Sequence, residues 1–422
     1  MNILLLGSGG RESTFAWKMT QSSLCDQLFI APGNAGTQQY GTNLAINPLD
    51  FEAVKEAVLS NQVNILVVGP EAPLVEGIYD FFQADESLKH VQVVGPSKEA
   101  SQLEGSKAFA KAFMKEQDIP TAAYGEFTAE NLADGLAYID AQTPPIVLKA
   151  DGLAAGKGVL ILEDKEEAKT ELKAMLDGKF GDASSKVVIE QFLSGIEFSV
   201  FVLTDGKDWQ LLPVAKDYKR IGEGDTGLNT GGMGSISPVS FVDDTLMDKV
   251  KTQIIQPTID GIQKRGLVYK GFIFFGLINV DNNPYVIEYN CRMGDPETEV
   301  VFPRLNNDLV ALMKSMSEGT LDQHQIELDE RAAAAVILVS GGYPGKYEKG
   351  KVITGIENVK DSLVFQAGTT LSEGQVITNG GRVIAITSYG KTFKEALAIS
   401  NQNATVIDFK GKNYRRDIGF DL

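Results

Sequence analysis

Four times within the first hundred residues a short apolar run ends in a glycine or proline turn and gives way to a helical spacing. NILLL (2–6) runs into Gly7-Ser8-Gly9-Gly10, LFIA (28–31) into Pro32-Gly33-Asn34, ILVV (65–68) into Gly69-Pro70-Glu71, and VQVV (91–94) into Gly95-Pro96. Strands without polar alternation, separated by helices, predict a parallel sheet covered on both faces, a doubly wound α/β unit. Ligands of such sheets bind beyond the carboxyl ends of the strands, where all four turns lie.

The chain of 422 residues is long enough for two to four such units. A helical pattern from Ser97 to Gln117 stops at Ile119-Pro120, a natural boundary. PIVLKA (145–150) and VLIL (159–162) then read as a hairpin around a glycine loop, and Asp164 with Glu167 as a capping box opening a helix to about Leu176. VVIEQFL (187–193), EFSVFVL (197–203) and WQLLPVA (209–215) return to strand. KDYKRIGEGDTGLNTGGMGSISP (216–238) reads as a long polar excursion, a length that signals function or disorder. From Ala332 the chain is strand-rich to its end, with GGYPGKYEKG and LSEGQVITNGG as loops.

Composition removes several chemistries. Two cysteines, Cys25 and Cys291, and two histidines, His90 and His324, supply neither a zinc cluster nor a disulfide scaffold, and no G-x-S-x-G elbow is present for a serine triad. A net charge of -17 repels nucleic-acid and lipid phosphates, so no nucleic-acid or membrane partner is expected. The longest apolar runs fall short of the ~20 residues of a membrane span, and MNILLLGSGG lacks the basic start of a signal peptide, so a reduced, cytoplasmic protein is expected.

Three elements carry chemistry. Gly7-x-Gly9-x-x fails as a dinucleotide fingerprint because Glu12 stands at the third glycine and no acidic residue ends the second strand, which weakens an NAD-binding reading. Its amides still suit a phosphate, or simply a tight turn. Gly152-Leu153-Ala154-Ala155-Gly156-Lys157-Gly158 is no Walker loop, yet a glycine flap between two strands, with Lys149 before it and Lys157 inside it, can close over phosphates. In PYVIEYNCRMGDPE, Glu288 and Asn290 lie two apart on a strand and share one face, with Ile287 and Tyr289 on the other; two oxygen donors completed by phosphate and water suit Mg2+. Arg292 can then pair with an anion, and Asp295 and Glu297 with an amine or metal.

In combination these residues resemble the phosphoribosylamine-glycine ligase family of the ATP-grasp superfamily. The resemblance spans the chain and rests on GSGGRE (7–12), APGNAGT (31–37), VGPEAPLV (68–75), LEGSKAF (103–109), LKADGLAAGKGV (148–159), NTGGMG (229–234), VIEYNCRMGDPETE (286–299) and YRRDIG (414–419). It implies an N-terminal doubly wound domain (1–103), an ATP-grasp region (104–328) with a small lid (122–192), and a β-rich C-terminal domain (329–422). It also implies activation of glycine by ATP to an acyl phosphate, which 5-phosphoribosylamine attacks to give glycinamide ribonucleotide, ADP and phosphate.

By the same resemblance Lys107 and Lys149 contact the triphosphate beneath a flap Gly152 to Gly158 that includes Gly156 and Lys157. Glu190, Phe192 and Glu197 frame the nucleoside, and Glu288 and Asn290 hold Mg2+ or Mn2+. Gly10, Arg11, Gly33, Asn34, Pro70 and Glu71 face phosphoribosylamine; Asp217, Lys219, Arg292, Gly294 and Asp295 lie near glycine and the transferred phosphate. A monomer or weak homo-oligomer is expected, and the end at Leu422 implies no fused later enzyme. The chain departs from the family at Ser13-Thr14 and Tyr218, where members usually carry His-Ala and His, and by the absence of a carboxylate in GFIFFGLINV. The alternatives are another ATP-grasp ligase or carboxylase, and a non-catalytic nucleotide-binding protein.

Overall fold

A computed structural model describes residues 1–154 and 158–422. The first apolar runs form parallel strands in the order Gln92–Pro96, Ile65–Val68, Asn2–Gly7, Gln27–Pro32, Thr42–Asn43. The glycine turns cluster at their carboxyl ends. Ile3 to Leu6 are fully buried because both sheet faces are covered.

The sheet does not stop with this unit. Gln92–Pro96 pairs antiparallel with the long strand Tyr269–Val280, which carries Ile196–Thr204 on one edge and Asn283–Asn290 on the other. One nine-stranded sheet therefore runs from the N-terminal unit into the centre of the molecule. The helix Gly10–Met19 is buried almost all round; Phe15 meets Phe302 edge-on at 4.7 Å between ring centroids.

Residues 124–191 build a separate antiparallel sheet, Tyr124–Thr128, Lys186–Gln191, Ile146–Ala150, Val159–Leu162, covered by the helices Leu132–Ala141 and Lys165–Ala174. Phe127, Ile139, Leu148, Leu172 and Ile189 give it a core of its own. The expected cap is there: Asp164 accepts from the Glu167 amide at 2.8 Å.

Three expectations change. The excursion 216–238 is not an open loop: Lys216–Asp217 and Gly234–Ser237 are strands of the C-terminal sheet, beside Ala332–Val339, and a two-stranded hairpin, Arg220–Gly222 with Thr226–Asn229, projects between them. LSEGQVITNGG contains the hairpin Thr369–Ser372 with Gln375–Thr378, whose turn places Glu373 and Gly374 at φ 50° and 78°, the geometry of a tight two-residue loop. The region is also not all strand, since Phe393–Val406 is a helix capped by Thr392. Neither of the two main sheets is confined to one of the three expected segments. Among the described residues no helix is long and apolar enough to cross a membrane.

Candidate active site

Two clefts open at the carboxyl ends of the N-terminal strands. The first lies between the lid and the central sheet. Its floor is the strand Asn283–Asn290, which bulges: Glu288 pairs with Gly276 but Val286 already pairs with Leu277, so Ile287 is an extra residue. Ile287 therefore turns toward the cleft beside Glu288 and Asn290 instead of sharing Tyr289's face as strict alternation predicts. Val286 and Tyr289 remain in the core.

The lid side is built from lysines. Ser106 caps the helix Lys107–Glu116 by accepting from the Phe109 amide, and Asp151, at the flap root, accepts from Ser106 Oγ and the Ala108 amide at 2.9 and 2.7 Å. This ties the flap to the helix start. Lys107 Nζ donates to the Gly152 carbonyl at 3.0 Å; burial lowers its pKa, opposed by Glu288 and Asp151. Deeper in, the buried Glu190 carboxylate lies 3.2 Å from Lys111 Nζ and 3.0 Å from Lys149 Nζ. Burial brings Lys111 down to about 8 although Glu190 opposes it. Lys149 also donates to the Ile287 carbonyl at 3.3 Å, linking lid to floor.

At the outer end Lys219 bridges Glu197 at 2.8 Å and Asp217 at 3.8 Å. Burial works against the Lys219 charge, but Asp217, Glu197 and Glu288 outweigh it and hold the amine protonated. Burial and the like charges of Glu197 and Glu288 raise Asp217. Glu297, accepting from Ser199 Oγ at 3.1 Å, is pushed up to about 7 by burial and Asp217. A Cβ at 294 would lie 2.3 Å from Glu297 Oε2, so glycine there lets the buried carboxylate keep its place. Arg292 is clamped at 2.8 Å by Glu104 and 3.6 Å by Glu71, and donates to Asn290 Oδ1 at 3.0 Å.

The second cleft, about 750 Å³, is lined by Ser8, Gly9, Gly33 and the C-terminal residues Tyr343, Gly368 and Arg382, room enough for a sugar phosphate. Gly33 holds φ 70°, and a Cβ there would meet Asn43 Oδ1 at 2.4 Å. Asp295 lines both clefts. It takes Arg382 at 3.0 Å and the Arg11 amide at 3.3 Å; burial opposes its charge, but Arg382 and Arg11 keep the carboxyl ionised below its usual range.

Glu71, Lys107, Gly158, Glu190, Asp217 and Lys219 are thus gathered in the first cleft, with Glu288, Asn290, Arg292 and Asp295. Gly152 is at the flap root, while Gly156 and Lys157 lie outside the described residues. Others sit elsewhere. Phe192 and Glu197 stand outside the first cleft's lining, Phe192 exposed and Glu197 turned to Lys219. Arg11 faces inward, held by Glu12 at 2.6 Å and the Met293 carbonyl, so its guanidinium braces Asp295's segment. The Asn34 amide lines the second cleft, but its hydrogen bonds go to Ser8, Ser13 and Gln366, so it shapes the turn. Gly10 packs on Glu299, and Pro70 caps the helix Glu71–Glu76. Ser13 and Tyr218, the two departures from the family pattern, are buried and line neither cleft.

Sequence reasoning missed Glu104, Lys111, Tyr343 and Arg382. Lys111 sits on an amphipathic helix where a lysine reads as solvated, and Arg382 lies 87 residues beyond Asp295, so no local spacing announced either contact.

Glu288 has no ion pair among the described residues, and the buried Asn290 Nδ2 has no partner, while its Oδ1 keeps a lone pair beyond the bond from Arg292. No cluster of three or more His, Cys, Asp or Glu suited to a metal occurs among the described residues. Such a partial oxygen set fits a hard divalent ion delivered with a triphosphate.

A lysine-lined cleft between a glycine-rich segment and a Glu-x-Asn strand is the arrangement of an ATP-grasp enzyme. Family models agree along the chain: Phosphoribosylglycinamide synthetase N domain over residues 1–104, ATP-grasp (A) domain over 105–298 and C domain over 333–421. The chain is 45% identical over 429 residues to a phosphoribosylamine–glycine ligase of Pasteurella multocida, covering 100% of this chain and 98% of that one. It superposes on the crystal structure of a phosphoribosylamine–glycine ligase from Thermotoga maritima with a TM-score of 0.86 at 37% identity, covering 99% and 100% of the two chains. A biotin carboxylase domain of Hydrogenobacter thermophilus (TM-score 0.72, 17% identity, 99% and 92% covered) shares the fold alone. The chain belongs to the phosphoribosylglycinamide synthetase family and is an ATP-dependent carbon–nitrogen ligase.

Proposed function

We propose that the two clefts divide the ligation of glycine to 5-phosphoribosylamine, with ATP and glycine in the first, phosphoribosylamine in the second, and glycinamide ribonucleotide, ADP and phosphate as products. The observation that carries this reading is Asp295, one carboxylate in the wall of both clefts, where an acyl group made in one can meet an amine held in the other. A carboxylate is a poor electrophile, so phosphorylating glycine creates the leaving group. The protein's task is then to position the reactants and neutralise charge, without a nucleophile of its own.

Lys107, Lys149 and the glycine segment that includes Gly152, Gly156, Lys157 and Gly158 bind the triphosphate. Lys111 supports Lys149 through Glu190. Glu190, Phe192 and Glu197 take the nucleoside end. Glu288 and Asn290 would hold a divalent ion, Mg2+ or Mn2+, whose charge would offset that of the transferred phosphate. Lys219, kept charged by Asp217, orients the glycine carboxylate, while Arg292, Gly294 and Asp295 form the passage between clefts. Gly9 and Gly33 present backbone to the ribose phosphate, Asn34 shapes that turn, and Gly10, Arg11 and Pro70 support it from behind, while Glu71, in the first cleft, steadies Arg292. A reduced, cytoplasmic setting belongs to the same reading.

Mass spectrometry of a mixture of enzyme, Mg2+, ATP, glycine and freshly generated phosphoribosylamine tests the reading. Glycinamide ribonucleotide must appear only when all three substrates are present. ADP release driven by bicarbonate, or by glycine with no amide product, would refute it.

A further inference from the structure

The segment 414–421 touches neither cleft, yet the Arg415 side chain is only 1% exposed. It makes a side-on pair with Asp417 through Nε and Nη2 at 2.8 and 2.9 Å, and its third nitrogen reaches Asp225 at 2.7 Å and the Arg220 carbonyl at 3.1 Å. Asp225 is the turn of the hairpin Arg220–Gly222 with Thr226–Asn229. That hairpin has one apolar anchor, Ile221 at its root, half-buried against the C-terminal core, while Thr226 to Asn229 are all exposed, Leu228 at 65%. Its outer turn is held by polar tethers, and residues 415–417 supply them. Asp417 accepts from the Gly224 amide at 2.6 Å, and Arg416 pairs with Glu223 at 3.4 Å.

The hairpin's two roots are cleft residues. Lys219 precedes it and Gly231 follows it, and Thr230 closes its base by donating to the Lys219 carbonyl at 2.7 Å through both its amide and its hydroxyl. Between Asp217 and Lys219, Tyr218 points the other way, its hydroxyl donating to Asp421 at 2.7 Å.

We propose that Arg415 and Asp417 are positioning residues for ligation: their grip on the 220–229 hairpin sets where Asp217, Lys219 and Gly231 stand in the first cleft. The segment acts at the back of the site, and what it controls is the alignment of the glycine and triphosphate side, not the second cleft. This rests on the assignment of ATP and glycine to the first cleft made above.

The test uses the full chain with Asp225→Asn, Arg415→Gln and Arg415→Lys, measuring kcat, KM for each of the three substrates and the melting temperature. Asparagine tolerates the φ of 54° at position 225, and a half-exposed ion pair contributes little to global stability, so Asp225→Asn should fold as the parent does. We expect it to lower kcat about fivefold, the kinetic equivalent of one lost charge-assisted contact, with KM for phosphoribosylamine unchanged. Arg415→Gln should lower it further, and Arg415→Lys should recover part of the loss by restoring the charge. A lower melting temperature with parental kcat in Asp225→Asn would overturn the proposal, as would a KM for phosphoribosylamine that rises in step with the loss. Failure of the underlying cleft assignment shows separately, because the unmodified chain would then give no amide product from the three substrates.

Discussion

Replacing Glu190 with Gln removes the one carboxylate between two buried lysines. At 3.2 and 3.0 Å, each contact is worth about 5 kcal/mol at an effective dielectric near 20. The several kcal/mol that the carboxylate itself spends on desolvation offset roughly half of that sum, so the variant should be less stable by about 3 to 5 kcal/mol. The sign of its pH dependence follows from Lys111, whose folded pKa of about 8 lies below the 10.5 of the unfolded chain. Between those values the unfolded state binds more protons, so stability rises with pH through that window. Without Glu190 the folded pKa falls further and the window opens at lower pH. Denaturation of both proteins at pH 6.5 and pH 9 is the assay: the deficit should be larger at pH 6.5 than at pH 9. Because phosphates can replace the lost carboxylate beside Lys149, ATP should also raise the melting temperature more in the variant than in the parent. A deficit under about 0.5 kcal/mol, or one that grows with pH, would refute the buried-triad reasoning.

Glu288→Gln should cut glycine-dependent ADP release by at least ~100-fold with an unchanged melting temperature, since Glu288 is only partly buried and unpaired; partial rescue by excess Mg2+ in a coupled assay checks the metal role. Asp295→Asn should lower kcat by roughly 100-fold and also raise KM for phosphoribosylamine, because one carboxylate serves both clefts; an effect on a single substrate would count against the shared wall. Gly294→Ala puts a methyl 2.3 Å from Glu297 Oε2, so it should displace that carboxylate and lower both kcat and stability, the latter by about 1 to 3 kcal/mol in denaturant titration.

The parallel strands were legible because burial on both faces leaves no choice but continuous apolar runs, and the cap at Asp164 because its side chain satisfies an orphan amide, whereas the cap at Ser106 breaks what reads as one helix from Ser97 to Gln117. What the sequence could not show is which sheet a strand joins. Gly234–Ser237 lies in a glycine-rich polar stretch, yet pairs with Ala332–Val339 about a hundred residues away, a contact fixed by tertiary packing and not by local pattern. The helix Phe393–Val406 was hidden for a similar reason: the residues it buries, Ala396, Ser400, Asn403 and Ala404, are small or polar, able to sit close on the sheet but weak as a periodic apolar signal.

The site divides along the same line. Residues proposed to meet a ligand through a local element, such as Glu288 and Asn290 on one strand, can be picked out by spacing. Those that act by holding another charge cannot. Lys111 is an ordinary helix lysine until Glu190 is opposite it, and Arg382 an ordinary strand arginine until Asp295 is beside it. These partners cross from one segment to another because a ligand charge needs a countercharge fixed in place, and a side chain is fixed best by groups that do not move with it. Arg382 shows the consequence. It grips Asp295 through its side chain and also donates to the Asp295 and Gly231 carbonyls, so the C-terminal sheet sets the passage between two clefts whose other walls belong to the N-terminal sheet and the lid. A reaction that hands an activated acyl group from one substrate to another needs that kind of joint, and only the folded chain reveals it.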